Sequence, residues 1–330
     1  MLPPMHSRRL ILAALASSVI AVPLLCAAQS FPVPGRQVRI VVPFPAGGQA
    51  DFQARLVAPR LSAALGVPVI VDNRPGASSI IGVQEVARAA PDGHTLLYTI
   101  ASPIVVNPHL FAKLPYDPLR DLTPITLTAV TAQVLVAHMS VPANNIKELV
   151  AYAKANPGKL NFGSYGLGTS SHLYGEMLKA SAGIDVVHVP YKGAADATKD
   201  LVAGRIDLMF MALTAPLPYV RQGKLKVLGV VGDKRISSMP GVPSIPEQGL
   251  QGLELTGWLG MFAPAGTPAS TVDRLNSELV RILREPEIVE RFRQGGSDVT
   301  STTPKGFAEL VDNDHEKWGE VVRRLGITAN

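Results

Sequence analysis

The sequence predicts an α/β protein folded as two lobes with mainly parallel sheets. Three observations carry that expectation: short β-branched runs alternate with amphipathic helical stretches, Gly, Pro, Asn and Ser mark the boundaries between them, and 330 residues suffice for two packed cores. Runs such as Val134–Ala137 and Leu208–Met211 are apolar at consecutive positions, as strands buried on both faces are.

The chain opens with Arg8 and Arg9 ahead of an uncharged apolar run from Leu10 to Cys26 that ends in Ala27-Ala28-Gln29. This is the layout of a secretory signal peptide, residues 1–28, cleaved near Ala28. The run of about 17 residues is marginal for a hydrocarbon layer ~30 Å thick. Leu25 is bulky for the position before a lipidated cysteine, and Ser7-Arg8-Arg9 is a weak twin-arginine signal. Strands are then expected at Val38–Val42, Val67–Val71, Thr95–Thr99, Val134–His138, Lys159–Gly163, Asp185–Val189, Leu208–Met211, Lys226–Val231 and Trp258–Ala263. Helices are expected after Gly48, after Ser79, and at Ile146–Asn156, Ser170–Ala182, Ala194–Ala203, Pro268–Arg284, Pro286–Gln294 and Pro304–Leu325. Two irregular stretches, Asn107–Thr126 and Met239–Gly257, are natural places for the chain to cross between lobes. The expected division is a discontinuous first lobe, residues 29–131 and 254–330, around a continuous second lobe, 132–253.

Cleavage removes Cys26, the only cysteine, so a mature chain in an oxidising compartment has no disulfide and relies on its cores. It also removes Arg8 and Arg9, which lowers the formal net charge from +5 to +3. That mild excess suits a small anion. No basic run interleaved with aromatics is present to track a nucleic-acid backbone.

Three strand-to-helix loops look able to hold an anion. The first, Pro43–Asp51, places Gly47 and Gly48 just before a helix start, where backbone N–H groups are unpaired and the helix dipole is positive. An ordinary turn with Asp51 as helix cap fits the same residues. The second runs from Asp72 to Ser79 and includes Ser78. The third, Gly163–Ser171, adds the hydroxyls of Thr169 and Ser170 to the amide of Gly168, although those hydroxyls can equally cap the helix.

These loops also carry a family resemblance. Val42-Pro43-Phe44-Pro45-Ala46-Gly47-Gly48 with Asp51 and Arg55, Asn73-Arg74-Pro75-Gly76-Ala77 with Gly82, and Ala90-Pro91-Asp92-Gly93 are followed by Gly166-Leu167-Gly168-Thr169-Ser170-Ser171-His172-Leu173. His188-Val189-Pro190-Tyr191-Lys192-Gly193, Gly204 with Asp207-Leu208-Met209-Phe210, Val242-Pro243-Ser244 with Glu247 and Gly249, and Ala263-Pro264-Ala265-Gly266-Thr267-Pro268 complete the series. In this order the motifs resemble the Bug family (Bordetella uptake gene receptors), the periplasmic substrate-binding proteins of tripartite tricarboxylate transporters. The resemblance runs from about Val38 to the end. It implies a two-lobed, hinged periplasmic-binding-protein fold of type II-like organisation that clamps a small organic carboxylate or amino-acid-like ligand between loops of both lobes. It further implies a carboxylate held by amides, hydroxyls and water rather than by an arginine, delivery to a large and a small multipass membrane subunit, no cofactor, no metal and no catalysis. A monomer is expected. Gln49-Ala50 stand where the family often has proline and threonine, and Ser78-Ser79 where it often has glycines, so the ligand is not transferable from a relative.

The candidate ligand-binding residues are Phe44, Gly47, Gly48, Asp51, Ser78 and Ser102 from the first lobe. The second lobe offers Tyr165, Gly168, Thr169, Ser170, Tyr191, Asp207 and Met211. Phe44, Tyr165 and Tyr191 suit either a cleft wall or core packing, Asp207 either the cleft or a structural hydrogen bond, and Lys192 either attraction of the anion or solvation. Three other functions compete. A hydrolase would use Ser164, but Phe162 replaces the glycine of a nucleophile elbow, and nothing in the sequence marks His172 or His188 as its base. A dinucleotide enzyme would use Gly166 and Gly168, but Ser171 replaces the third glycine. The six mature histidines show no metal-ligand spacing. A ligand sensor for a membrane signalling protein would use the same cleft.

Overall fold

β-branched and leucine-rich segments pair into two sheets whose central strands, such as Val38–Val42, Gln133–His138 and Leu208–Ala212, are largely buried, while the edge strands Val69–Asn73 and Val187–Pro190 are partly exposed. The computed structural model describes residues 31–131, 133–191, 193–213, 215–236 and 239–328. The signal-peptide reading and Lys192 lie outside the described residues. The first half runs β1 (Val38–Val42), α1 (Gln49–Leu65), β2 (Val69–Asn73), α2 (Ile80–Ala87), β3 (Thr95–Ile100), α3 (Asn107–Leu110), α4 (Pro118–Asp121) and β4 (Leu122–Thr131). There follow β5 (Gln133–His138), α5 (Ile146–Ala155), β6 (Asn161–Ser164), α6 (Ser170–Ala182), β7 (Val187–Pro190), α7 (Ala194–Val202), β8 (Leu208–Ala212), α8 (Leu217–Arg221) and β9 (Leu225–Val230). The chain closes with β10 (Gly257–Pro264), α9 (Ala269–Leu283), α10 (Pro286–Gln294), β11 (Ser297–Val299) and α11 (Pro304–Leu325).

The first sheet has the order β11-β4-β10-β3-β1-β2 and the second β7-β6-β8-β5-β9. The α/β class is as expected, and both sheets are mixed. β2-β1-β3 and β7-β6-β8 are parallel trios, while β10, β4 and β11 in one sheet and β5 and β9 in the other pair antiparallel. The chain passes from the first sheet to the second between Thr131 and Gln133 and returns between Val230 and Gly257.

β4 and β11 were not expected as strands. Leu122–Thr131 carries Pro124 and alternates threonines with apolar residues, which hides it. In the sheet Pro124 faces Phe262 beside a register shift, a position where a missing N–H costs no ladder bond. A second shift follows Leu259, and there Thr128 Oγ1 donates to the Leu259 carbonyl at 3.0 Å.

Sharp glycine contacts lock the layers together. A Cβ on Gly260 would lie 2.1 Å from Phe307 of α11, and one on Gly175 would lie 2.0 Å from Phe162 of β6. α11 also reaches from the first sheet to the second. Asp314 accepts a hydrogen bond from Trp258 Nε1 at 2.8 Å, and Trp318 meets the Tyr174 ring of α6 edge-on at 5.8 Å. Among the described residues no helix is long and apolar enough to cross a membrane.

Candidate functional site

Each parallel trio ends its strands along one edge, and the loops that leave that edge start helices. In open α/β sheets ligands bind outside such carboxyl ends. In the first sheet the edge comprises the loops after β1, β2 and β3. In the second it comprises the loops after β6, β7 and β8.

The loop after β1 turns at Gly47, whose φ of 84° favours glycine. Its amide does not wait for a ligand: it donates to Asp51 Oδ2 at 2.9 Å. Asp51 is 3% exposed, accepts from Arg55 Nε at 2.9 Å, and is tied through Arg55 to Asn73, which donates to the Phe44 carbonyl. Burial alone would raise the Asp51 carboxyl. Hydrogen bonds from Arg55, the Gly47 amide and Asn73 outweigh it and hold the group below its ordinary range. Asp51 is therefore a loop-fixing residue whose charge is already matched. Gly48 is exposed, forms the N-cap of α1, and has no partner for its amide among the described residues. Gly47, Gly48 and Gln49 line a cavity of about 370 Å³ with Phe52, Arg291, Gln294 and Gly295. Arg291 lies over the Phe52 ring at 5.6 Å. No motif marks Arg291 or Gln294, since their place beside α1 depends on how α10 packs.

After β2, Ala77, Ser78 and Ser79 all have positive φ (44°, 54° and 74°), a left-handed turn that costs on the order of 1 kcal/mol or more per non-glycine residue. Asn107 Nδ2 holds it by donating to the Ser78 carbonyl at 2.9 Å, and Ser78 itself is exposed. After β3, half-buried Ser102 opens a π-helical turn, Ser102–Val106.

The loop after β6 repeats the device of the first. Gly168, at φ 72°, donates its amide to His172 Nδ1 at 3.0 Å, four residues on, as Gly47 does to Asp51. Thr169 is the N-cap of α6: its hydroxyl donates to the Gly166 carbonyl at 2.8 Å and accepts from the His172 amide at 3.4 Å. Gly168 and Thr169 thus hold their own loop. Ser170 is half-buried, with no hydroxyl partner among the described residues, and is a free donor at this edge. Tyr165 donates to the Phe210 carbonyl at 3.1 Å, and Tyr191 to Asp200 Oδ2 at 2.8 Å, so both rings are fixed while only partly buried. Burial and the Asp200 carboxylate push the Tyr191 hydroxyl up to about 12.

Two expected contacts are corrected by the fold. Asp207 precedes β8, and β8 runs parallel to β6, so Asp207 lies at the entry end of the strands, opposite the loop edge. There it accepts from the Asn161 amide at 2.9 Å while its own amide donates to Asn161 Oδ1. Met211 is 0% exposed and packs in the core of the second sheet with Val134, Ala197 and Leu201.

Two of the histidines pack together beside this loop. His188 stacks on His172 at 4.1 Å and on Phe162 at 4.7 Å, and its Nε2 lies 2.7 Å from Ser164 Oγ, a serine–histidine contact that sequence spacing does not reveal. Ser164 is 0% exposed, so no substrate carbonyl reaches it. Burial, followed by the nearby His172 and Lys179, lowers His188 to about 4, far from a useful general base at neutral pH. His172, Glu176 and His188 converge within 4.8 Å. Because His172 Nδ1 accepts from Gly168, its neutral ring carries the proton on Nε2, and Glu176 pairs with Lys179 at 2.9 Å. An ion ligated by His172 would have to displace the Gly168 amide from Nδ1 or the proton from Nε2, and at Glu176 it would compete with the Lys179 ammonium.

Residues 53–327 match the model of the tripartite tricarboxylate transporter family receptor. The chain belongs to that family. It is 39% identical over 298 residues to the UPF0065 protein in the tcbD-tcbE intergenic region of Pseudomonas sp. strain P51, covering 90% of this chain and 88% of that one. Among solved structures, that of R. palustris Rpa4515 with adipate is 33% identical with a TM-score of 0.81, covering 89% of this chain and 99% of that one. The periplasmic binding protein BugD is 36% identical with a TM-score of 0.77, covering 90% and 100%. The receptor family accounts for the paired sheets and the Bug-type motifs, and it is a family of solute-binding proteins, not enzymes.

Proposed function

We propose that this receptor is exported to the periplasm, binds one small organic carboxylate between its two loop edges, and delivers it to large and small membrane subunits of a transporter without catalysing a reaction. The observation that carries the reading is that each edge leaves uncharged donors at a helix start: the Gly48 amide and first turn of α1 on one side, the Ser170 hydroxyl and first turn of α6 on the other. Rpa4515, a relative with the same fold, is a structure with adipate. The full burial of Ser164 supports a non-enzymatic role.

In this reading residues 29–131 with 254–330, and residues 132–253, move as lobes about the two crossings between the sheets. Phe44, Ser78, Ser102, Tyr165 and Tyr191 wall the site. Ligand favours the closed state because only closure brings both edges onto one molecule. The test is a thermal-shift screen of the mature protein, freed of carried-over ligand, against carboxylates and their neutral amides. A ligand at ~100 times its dissociation constant adds about 2.7 kcal/mol to stability. An equal response to an acid and its amide would refute the anion site.

A further inference from the structure

We propose that the stacked pair His172 and His188 is an acid-sensitive latch on the loop Tyr165–Ser170, so that protonation loosens the second-sheet edge of the site and the bound anion leaves. The inference rests on the binding role given above for that edge, but its geometry stands independently. The Gly168 amide is held by the lone pair of His172 Nδ1 at 3.0 Å. A proton on that nitrogen would set N–H against N–H, and the bond that fixes the loop would be lost. His188 is joined to the same loop from the other side, since the Ser164 hydroxyl at its Nε2 also accepts from the Gly166 amide at 3.3 Å.

The two rings are 4.1 Å apart and nearly parallel, 14° between planes, so a second imidazolium would repel the first. The charged groups facing the pair are Glu176 and Lys179, both on α6. Glu176 lies 4.0 Å from His172 Nε2 and favours a proton there, while Lys179, ion-paired to Glu176, opposes it. From β6 the pair meets the uncharged Phe162 ring and the Ser164 hydroxyl. Burial is the largest influence on both rings and keeps them neutral at pH 7. His172 is held below its ordinary 6.5, and His188 is lowered to about 4. The latch therefore stays shut at neutral pH and opens on acidification, below the ordinary histidine range.

The other edge is built differently. There Asp51 takes the corresponding glycine amide with a carboxylate held below its ordinary range, which stays charged across the same pH interval. Acid thus acts on one side of the site and leaves the other intact.

The test is an amide and imidazole NMR titration of the mature protein from pH 7.5 to 4, with wild type, His172→Asn and His188→Gln. The Asn side-chain oxygen can take the place of Nδ1 and does not titrate in this range. Gly168 in wild type should change shift together with the histidine ring signals and exchange its amide roughly tenfold faster at low pH than expected from base-catalysed exchange alone. In His172→Asn the Gly168 signal should stay fixed. A Gly168 amide that is invariant in wild type, or that titrates identically in His172→Asn, overturns the latch. Calorimetry with adipate as probe at pH 7 and 5 forms the second arm. The probe's own titration is common to both proteins, so a fall in affinity on acidification at least threefold larger in wild type than in His172→Asn links the latch to release, and equal falls reject that link. Failure of adipate to bind either protein bears on the proposed ligand, while the NMR result still decides the latch.

Discussion

Removal of the Asp51 carboxylate tests whether the first loop is held from within or completed by a ligand. In Asp51→Ala the Gly47 amide loses its acceptor, Arg55 its ion pair, and Asn73 one partner. A hydrogen bond to a charged group contributes about 1.5–3 kcal/mol. The Arg55 side chain is 53% exposed, so its pairing adds no more than ~1 kcal/mol. The expected loss is about 2–4 kcal/mol, which lowers the melting temperature by roughly 4–10 °C in a protein of this size. Asp51→Asn keeps an acceptor for Gly47 and should recover about half of that loss. The sign with pH follows from the folded carboxyl lying below its ordinary 3.8: its contribution is complete at neutral pH and disappears as pH falls through the folded value, so wild type and Asp51→Ala converge in acid. Calorimetric melting of ligand-free protein measures the effect. An Asp51→Ala protein that melts within about 1 °C of wild type yet no longer binds any carboxylate would make Asp51 a ligand contact and refute the reasoning.

Ser170→Ala should weaken carboxylate binding by roughly tenfold with little change in melting temperature, because its hydroxyl has no internal partner; titration calorimetry with a hit from the thermal-shift screen measures it. Thr169→Ala, by contrast, should cost about 1 kcal/mol of stability through loss of the α6 cap, read by urea denaturation. Gly175→Ala drives a methyl group into the Phe162 ring and should cost about 1–3 kcal/mol in the same assay. Asp207→Ala should lower stability and leave carboxylate affinity unchanged, since its partners lie at the entry end of the strands; a loss of affinity without a loss of stability would contradict the placement.

Much of the fold was legible because buried strands leave continuous apolar runs: Val38–Val42, Val134–His138 and Leu208–Met211 recur almost unchanged as β1, β5 and β8. Periodicity identifies a strand without naming its partners, so the antiparallel returns that make both sheets mixed were not visible. β4 was hidden by Pro124, which argues against a central strand unless a register shift excuses its missing donor, and such a shift is a property of the pair with β10. β11 has only three residues, too few for any alternation to register.

The candidate loops were legible in the sequence, whereas the internal engagement of their glycine amides was not, for one physical reason. A glycine before a helix serves either to let a ligand approach the backbone or to adopt positive φ, and the two uses look alike in sequence. Here Gly47 and Gly168 are both left-handed residues that precede the N-cap and give their amides to the side chain four positions on, Asp51 in one loop and His172 in the other. The pattern extends the capping box, in which the third helical side chain reaches back to an amide at the helix start. In both loops this settles the glycine amide internally and leaves the Gly48 amide and the Ser170 hydroxyl as the donors of the proposed anion site. Shared backbone geometry with different acceptors then gives the two edges different chemistry: a carboxylate that stays charged fixes one, and an imidazole that titrates fixes the other.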